Sequence, residues 1–165
     1  MTSDDVQRTV GVLTLTRECV LAEDRPILLH NVLGDCDPCA PYADAMDVEL
    51  FKFEEGRVVI LGKPSARYLN PVGKVQSGWA ATILDGAMAH SVHTTLKKGE
   101  DCTTLEMKIS HIRPVLKSSG KVRCESKLIH RGARTATSEG RLLDEDGNLL
   151  AHGSETCMIS PAGSA

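Results

Sequence analysis

The chain has 165 residues, a net charge of −3 and only 3% aromatic residues. This length suits one domain with a substantial core, while the acidic balance and the scarcity of aromatic rings argue against binding to nucleic acid or to an anionic membrane. No run approaches transmembrane length, and residues 1–5 lack the layout of a signal peptide, so we expect a cytoplasmic protein.

The sequence divides into a lead-in, one domain and a tail. Residues 1–37 are weakly patterned, although an aspartate that can cap a helix and a proline in the first turn predict a short helix over residues 24–33. Residues 38–160 carry the patterns of a single folded domain, and we expect residues 161–165 to be flexible.

Two strands are predicted at the start of the domain, over Met46–Phe53 and Arg57–Gly62. The Glu54-Glu55-Gly56 sequence between them is typical of a turn. These two segments therefore indicate an antiparallel hairpin.

The segment that follows indicates a bent loop leading into a helix. Pro71 holds Asn70 in an extended conformation, and Gly73 permits a sharp bend. Gln76 or Ser77 can then cap the helix start. Free N–H groups and the positive end of the helix dipole at this point favour an oxygen that carries negative charge.

The helix predicted over Ser77–Leu96 is apolar around most of its circumference, which indicates that it is buried. Asp85 lies inside it without a cation at helical spacing. The positions three and four residues away hold Ala81, Thr82, Met88 and Ala89. A buried, unpaired carboxylate is costly and has a raised pKa, so Asp85 is a candidate for acid–base or nucleophilic chemistry. A structural alternative is that Asp85 accepts a hydrogen bond from a strand backbone.

Residue types that bind metals do not form a recognisable site. Cys36 and Cys39 make one C-x-x-C pair without a second pair at zinc-site spacing, and a loop is the simpler interpretation. His90 and His93 share a helix face and could in principle hold a metal. We favour the alternative that they are histidines with satisfied hydrogen bonds at the end of a buried helix. The remaining strand cysteines are interpreted as small buried hydrophobes: Cys102, Cys124 and Cys157. We expect no metal and no redox cofactor.

Four more strands are predicted after the helix, and turn residues separate them. Their ranges are Asp101–Pro114, Lys121–Arg131, Ala133–Leu143 and Leu149–Ile159. Two strands, one long helix and four strands joined by turns predict an α+β fold, in which an antiparallel sheet wraps around one central helix. Small residues along the helix would let the sheet approach it closely.

Several motifs resemble those of one family. The run from Asn70 to Asp85, read as Asn-Pro-x-Gly-x-Val-x-x-Gly-Trp-x-Ala-Thr-x-x-Asp, looks like the signature of hotdog-fold acyl-CoA thioesterases of the phenylacetate-degradation (PaaI-like) type. Further matches follow in order: 103–108, Arg113-Pro114, 130–134 and 146–152. The resemblance covers residues 38–159. One departure is that Gln76-Ser77-Gly78 stands where the family usually has His-Gly-Gly.

The resemblance implies a homodimer or homotetramer with an active site shared between two subunits. Asn70 and the backbone N–H of Ser77 would come from one subunit, and Asp85 from the other. Thr103 or Thr104 would hold the attacking water or orient Asp85. Neighbouring threonines on a strand point to opposite faces of the sheet, so the sequence leaves this choice open.

The resemblance also implies that acyl-coenzyme A is the substrate. Gly78 and Trp79 would contact it, and Arg113, Arg131 and Arg134 would receive its phosphate groups. Ordinary solvated surface charge is the alternative for each of these arginines.

The implied activity is hydrolysis of the thioester, with the carbonyl oxygen at the Ser77 N–H and Asp85 as nucleophile or general base. Gln76 in place of His keeps hydrogen bonding but removes a titratable group. A non-catalytic acyl-CoA-binding protein is an alternative that the Gln76-Ser77 departure leaves open. A hydratase is a further alternative, but such chemistry typically needs a His where Gln76 stands.

Overall fold

The computed structural model describes residues 41–162. The predicted helix over residues 24–33 and the Cys36–Cys39 pair lie outside this range. The elements in chain order are α1 (Pro41–Ala45), β1 (Val48–Glu54), β2 (Arg57–Gly62), α2 (Ser77–His93), β3 (Glu100–His111), β4 (Val122–Arg131), β5 (Thr135–Leu143) and β6 (Leu149–Pro161). Within this part of the chain, no helix is both long and apolar enough to span a membrane.

The six strands form one sheet in the order β1-β2-β4-β5-β6-β3, and every neighbouring pair is antiparallel. Helix α2 packs against one face of this sheet, with contacts to all six strands. The predicted α+β architecture, an antiparallel sheet wrapped around one helix, is confirmed. Strand β3 follows α2 directly in the chain but pairs only with β6, which places β3 at an edge.

Predicted and observed elements agree closely, with small differences at their ends. Strand β1 begins at Val48 rather than Met46, because the short helix α1 and the positive φ of Asp47 (52°) precede it. Strand β3 ends at His111, since the next two N–H groups both donate to the carbonyl of Leu150. Helix α2 ends at His93, and residues 94–96 continue in a tight turn.

The helix is buried because the sheet approaches it closely. A Cβ atom at Gly140 on β5 would lie 3.0 Å from Met88 Cγ and 3.1 Å from Leu84 Cδ2, which is tighter than almost all real contacts of that kind. On β4, Ser126 Oγ donates a 2.6 Å hydrogen bond to the carbonyl of Ala87. The prediction of a buried helix is confirmed, and its packing fixes the position of Asp85 relative to the sheet.

Candidate active site

The loop before α2 is organised by Asn70. Its side-chain Oδ1 accepts hydrogen bonds from the backbone N–H groups of Val72 and Lys74, both at 3.1 Å. The Asn70 backbone N–H donates to the Lys74 carbonyl at 2.7 Å, and Gly73 has the positive φ (77°) that the bend requires. The side-chain oxygen is therefore committed to the loop. The side-chain NH₂ donates no hydrogen bond within the described residues and remains available to a ligand.

Helix α2 begins with exposed residues and an open N-terminus. Gln76 is the N-cap residue, one of the two predicted alternatives, but its side chain makes no capping hydrogen bond. The backbone N–H of Ser77 has no partner among residues 41–162. Nothing lies within 4 Å of a Cβ atom built on Gly78. A free N–H group at an uncrowded helix start is an anion-binding arrangement.

Trp79 turns inward from the helix start. Its side chain is 2% exposed, its Nε1–H donates to the Met46 carbonyl at 2.8 Å, and its ring stacks on Tyr68 with centroids 5.5 Å apart. These contacts join α2 to the segment before β1 and satisfy the indole N–H. The structure therefore does not bring the Trp79 side chain to the open helix start, where a substrate contact was expected.

Asp85 lies two turns into α2 and is half-buried. Within the described residues it accepts no hydrogen bond and forms no ion pair, as the helical spacing predicted. Burial raises the pKa of its carboxyl group above the ordinary value. Tyr42 on α1 lies close by, and burial followed by the Asp85 charge raises the pKa of its phenol. Asp85 is thus an uncompensated carboxylate in a partly desolvated place, which is the environment of a reactive base.

The two threonines of the open choice lie on opposite faces of β3. Thr104 is opposite the fully buried Cys157 on β6, which places its side chain on the helix-facing side. Thr104 Oγ1 donates a 2.8 Å hydrogen bond to Glu155 Oε1. Thr103 is opposite the exposed Met158 on the other face. The structure brings Thr104, rather than Thr103, to the side of the sheet that faces α2.

Glu155 is a second carboxyl group on this side that the sequence analysis missed. It is 1% exposed, and its Oε2 atom has no hydrogen-bond partner, like the Oγ of Ser138 directly opposite on β5. Burial, with a smaller contribution from the Asp85 charge, raises the pKa of Glu155 to about 7. The available sequence signal was its position, because the period of two along β6 points residue 155 inward together with Cys157 and Ile159.

The Thioesterase superfamily model matches residues 73–151, from the bend before α2 into β6. No curated protein matches the sequence. A phenylacetic acid degradation-related protein from Ralstonia eutropha JMP134 is 29% identical, with a TM-score of 0.72 over 81% of this chain and 99% of its own. A thioesterase from Haemophilus influenzae is 18% identical, with a TM-score of 0.72 over 84% and 93%. A mutant of phenylacetic acid degradation protein PaaI from Thermus thermophilus is 22% identical, with a TM-score of 0.66 over 72% and 98%.

The chain thus has the hotdog fold of the PaaI-related structures, and residues 73–151 are similar to the Thioesterase superfamily. These similarities support the hydrolysis of a thioester as the reaction class. In a reaction of this kind, a donor must stabilise the oxyanion that develops on the carbonyl, and a base or nucleophile must act at the carbonyl carbon. Within the described residues, the Ser77 N–H is an unpartnered donor at a helix start and Asp85 is an unpaired carboxylate.

The separation of these two groups sets a limit on what one chain can do. Ser77 and Asp85 are eight residues apart on the same helix, which corresponds to about 12 Å along the axis at about 1.5 Å per residue. Oxyanion donors and bases act at about 3 Å from the reacting atoms. The Ser77 N–H and the Asp85 carboxylate of one chain therefore cannot serve the same carbonyl group.

The three arginines expected to bind phosphate are not brought together. Arg113 follows the end of β3, where its Nη1 donates to the Leu149 carbonyl at 3.4 Å. Arg131 and Arg134 flank the β4–β5 turn, near the start of β3, and Arg131 forms an ion pair with Glu100. The side chain of Arg134 has no ion-pair partner in the described part of the chain. Arg113 and Arg134 thus lie at opposite ends of the sheet, and Arg131 already has a carboxylate partner.

Proposed function

We propose that this protein hydrolyses acyl-coenzyme A to the free acid and coenzyme A, at a site that two copies of the chain build together. The observation that carries this proposal is the pair of unpartnered groups on α2, the Ser77 N–H and the Asp85 carboxylate, held about 12 Å apart. Both groups can act on one thioester only if they come from different subunits. A second α2, running in the opposite direction beside the first, brings the Ser77 of one chain to the Asp85 of the other.

The reaction follows from the chemistry of these groups. The thioester oxygen accepts a hydrogen bond from the Ser77 N–H, where the positive end of the helix dipole favours the developing charge. Asp85 takes a proton from a water molecule that attacks the carbonyl carbon, or attacks this carbon itself. The C–S bond then breaks, and coenzyme A leaves as a thiolate that gains a proton. The Asn70 NH₂ group, which is free to donate, positions the substrate or the water.

Thr104 and Glu155 support Asp85 from the face of the sheet that packs against α2. Their hydrogen bond fixes the Glu155 carboxyl group on the sheet surface that faces α2. Since the pKa of Glu155 is raised to about 7, this group is largely protonated in mildly acidic solution and about half protonated at neutral pH. A neutral Glu155 leaves Asp85 as the negative charge at this place. A role for Thr103 in holding the water stays a prediction, while Thr104 has the orientation that such a role requires.

The edge strand β3 is the surface on which we place the dimer. Every residue from 103 to 108 is exposed, on both faces of the strand. Leu105 is 56% exposed and Met107 is 39% exposed. An edge strand that exposes apolar side chains is a ready partner for another strand, and pairing β3 with β3 of a second copy would continue the sheet through both subunits. Tetramers would arise from further contacts between such dimers.

Binding of coenzyme A relies on cations at both ends of the sheet. Arg113 lies at the same end as the start of α2, because the residue before Gln76 donates its N–H to the carbonyl of Val115. Arg134 lies at the opposite end of the sheet. An antiparallel arrangement of two subunits would bring the Arg134 of one subunit toward the Arg113 of the other. Arg131 contributes charge but stays paired with Glu100.

We place the enzyme in the cytoplasm, since the cysteines of the described residues are free thiols.

The test measures thiol release from a panel of aliphatic and aromatic acyl-CoA substrates. Asp85→Asn should lower kcat by roughly 10²–10⁴-fold on the best substrate, the usual contribution of a positioned base. Asp146→Asn, at an exposed turn between β5 and β6, is the matched control and should leave kcat unchanged. Full activity in Asp85→Asn would refute the assignment. Tight binding of acyl-CoA without any thiol release would favour the alternative, a non-catalytic acyl-CoA-binding protein, which the altered Gln76-Ser77 pair suggests.

A further inference from the structure

A second group of reactive side chains lies toward the C-terminal end of α2. The thiol of Cys102, near the start of the edge strand β3, is half-buried, and its Sγ atom lies 3.4 Å from Nε2 of His93. The other ring nitrogen of His93, Nδ1, is buried and has no hydrogen-bond partner among the described residues. Cys102 was predicted to be a small buried hydrophobe, but its contact with an imidazole is that of a reactive thiol.

Cys157 brings a second thiol to the same place. In the β3–β6 pairing, Cys102 is opposite Ile159 and Thr104 is opposite Cys157, so the two cysteines are diagonal neighbours on the helix-facing side. The two thiols are close enough for each to shift the pKa of the other. Cys157 also donates a 3.1 Å hydrogen bond from Sγ to Glu155 Oε1. The two cysteines are thus neighbours, with an imidazole beside Cys102 and a carboxyl group beside Cys157.

These contacts divide the protons unequally between the two sulfurs. The interaction with the Cys157 thiol, assisted by His93, lowers the pKa of Cys102 to about 5 despite the opposing effect of burial. The same contact, together with burial and the nearby Glu155, raises the pKa of Cys157. Asp101, the remaining charged neighbour on β3, opposes the change at Cys102 only in part. Cys102 is therefore the sulfur that ionises more readily, and Cys157 keeps its proton more firmly.

We propose that Cys102 and Cys157 form a redox site at which a hydroperoxide converts the two thiols to a disulfide. The Cys102 sulfur attacks one peroxide oxygen, so that an S–O bond forms, the O–O bond breaks and the leaving oxygen takes the proton that His93 received from Cys102. The Cys157 sulfur then attacks the sulfenic acid, and water leaves with the Cys157 proton. The two sulfurs lose two electrons in total, and the hydroperoxide gains two as it becomes an alcohol, or water, and a second water.

Oxidation would also change the neighbouring carboxyl group. The disulfide removes the S–H that Cys157 donates to Glu155, while the Thr104 hydroxyl continues to donate to the same oxygen. It also joins the edge strand β3 covalently to β6. Oxidation of the two cysteines would therefore alter the hydrogen bonding of Glu155, the carboxyl group that supports Asp85. This inference does not depend on the identity of the acyl substrate.

The experiment treats the full chain with hydrogen peroxide, blocks the remaining thiols with an alkylating agent and digests with trypsin. Residues 99–108 carry Cys102, residues 142–165 carry Cys157, and residues 124–127 carry Cys124 on separate tryptic peptides. We expect a linked species of the first two peptides that disappears on reduction. Cys102→Ser should abolish it, and Cys124→Ser, which changes a core thiol of β4, should leave its yield unchanged.

Two further measurements separate this site from ordinary thiol oxidation. Because Cys102 is a thiolate at low pH, its oxidation rate at pH 6 should stay within about threefold of the rate at pH 8, whereas an unperturbed thiol slows by about 100-fold. His93→Gln should slow the formation of the linked species. Peroxide treatment that leaves Cys102 reduced, or that oxidises it to the sulfinic acid without a link to Cys157, would overturn the proposal.

Discussion

Glu155→Gln should make the protein more stable at alkaline pH and leave it nearly unchanged at acidic pH. The pKa of Glu155 rises from an ordinary value of 4.5 to about 7 in the folded state, mainly because the group is buried. Below pH 4.5, the carboxyl group is protonated in both the folded and the unfolded chain, so it has no effect on the pH dependence of stability. Between pH 4.5 and 7, the unfolded chain loses this proton first, and the folded state becomes progressively less stable by comparison.

The size of the effect follows from the same pKa values. The difference between 4.5 and about 7 corresponds to roughly 3 kcal/mol of lost stability above pH 7, at about 1.4 kcal/mol for each pH unit. Glutamine keeps an oxygen that can accept from Thr104 and Cys157 but cannot ionise. The free energy of unfolding of Glu155→Gln should therefore exceed that of the wild type by roughly 3 kcal/mol at pH 8 and by almost nothing near pH 4.5.

Urea denaturation at several pH values, at one fixed protein concentration, measures this difference. The concentration is held constant because dissociation of an oligomer would otherwise contribute. Glu106→Gln, an exposed position on β3, is the matched control and should follow the wild-type pH dependence. The reasoning fails if Glu155→Gln and the wild type show parallel pH dependences, or if the variant is less stable by the same amount at every pH.

Three predictions concern catalysis. Mixing inactive Asn70→Ala chains with inactive Asp85→Ala chains should restore activity, because a mixed dimer contains one complete site; verified subunit exchange without recovery, or a monomer by light scattering, would contradict the shared site. Ser77→Pro should fold, since proline suits the first helical position and Gln76 already has the φ of −59° and ψ of 134° that a residue before proline prefers. It should nevertheless lose about 2.7–4 kcal/mol of transition-state stabilisation, the value of one oxyanion donor, whereas Ser77→Gly should keep or raise turnover; wild-type kinetics in Ser77→Pro would exclude the oxyanion role. Thr104→Val should shift the pH profile of kcat because it removes the hydrogen bond that the Thr104 hydroxyl donates to Glu155. Thr103→Val should leave the profile unchanged, and equal profiles for the two variants would argue against the Thr104–Glu155 contact.

The order and type of the elements in the domain were determined by local patterns. Period-two alternation and turn residues set the strands, since each depends only on a few consecutive residues. The apolar run from Ser77 indicated a buried helix, and the absence of a cation at helical spacing from Asp85 predicted its unpaired state. The bend before α2 was likewise predicted from two nearby residues, Pro71 and Gly73. These features are local, because backbone geometry carries them over one or two turns.

The tertiary structure decided which side chains meet, because pairing between strands is set over long separations. The β3–β6 register placed Thr104 toward the helix and Thr103 away from it, and it made Cys102 and Cys157 diagonal neighbours. Glu155 and Thr104 are far apart in sequence, so no local pattern encodes the hydrogen bond between them. The eight-residue separation between Ser77 and Asp85 was visible in the sequence. Only the straight helix α2 turned it into a distance of about 12 Å, too large for one chain to place both groups at one carbonyl.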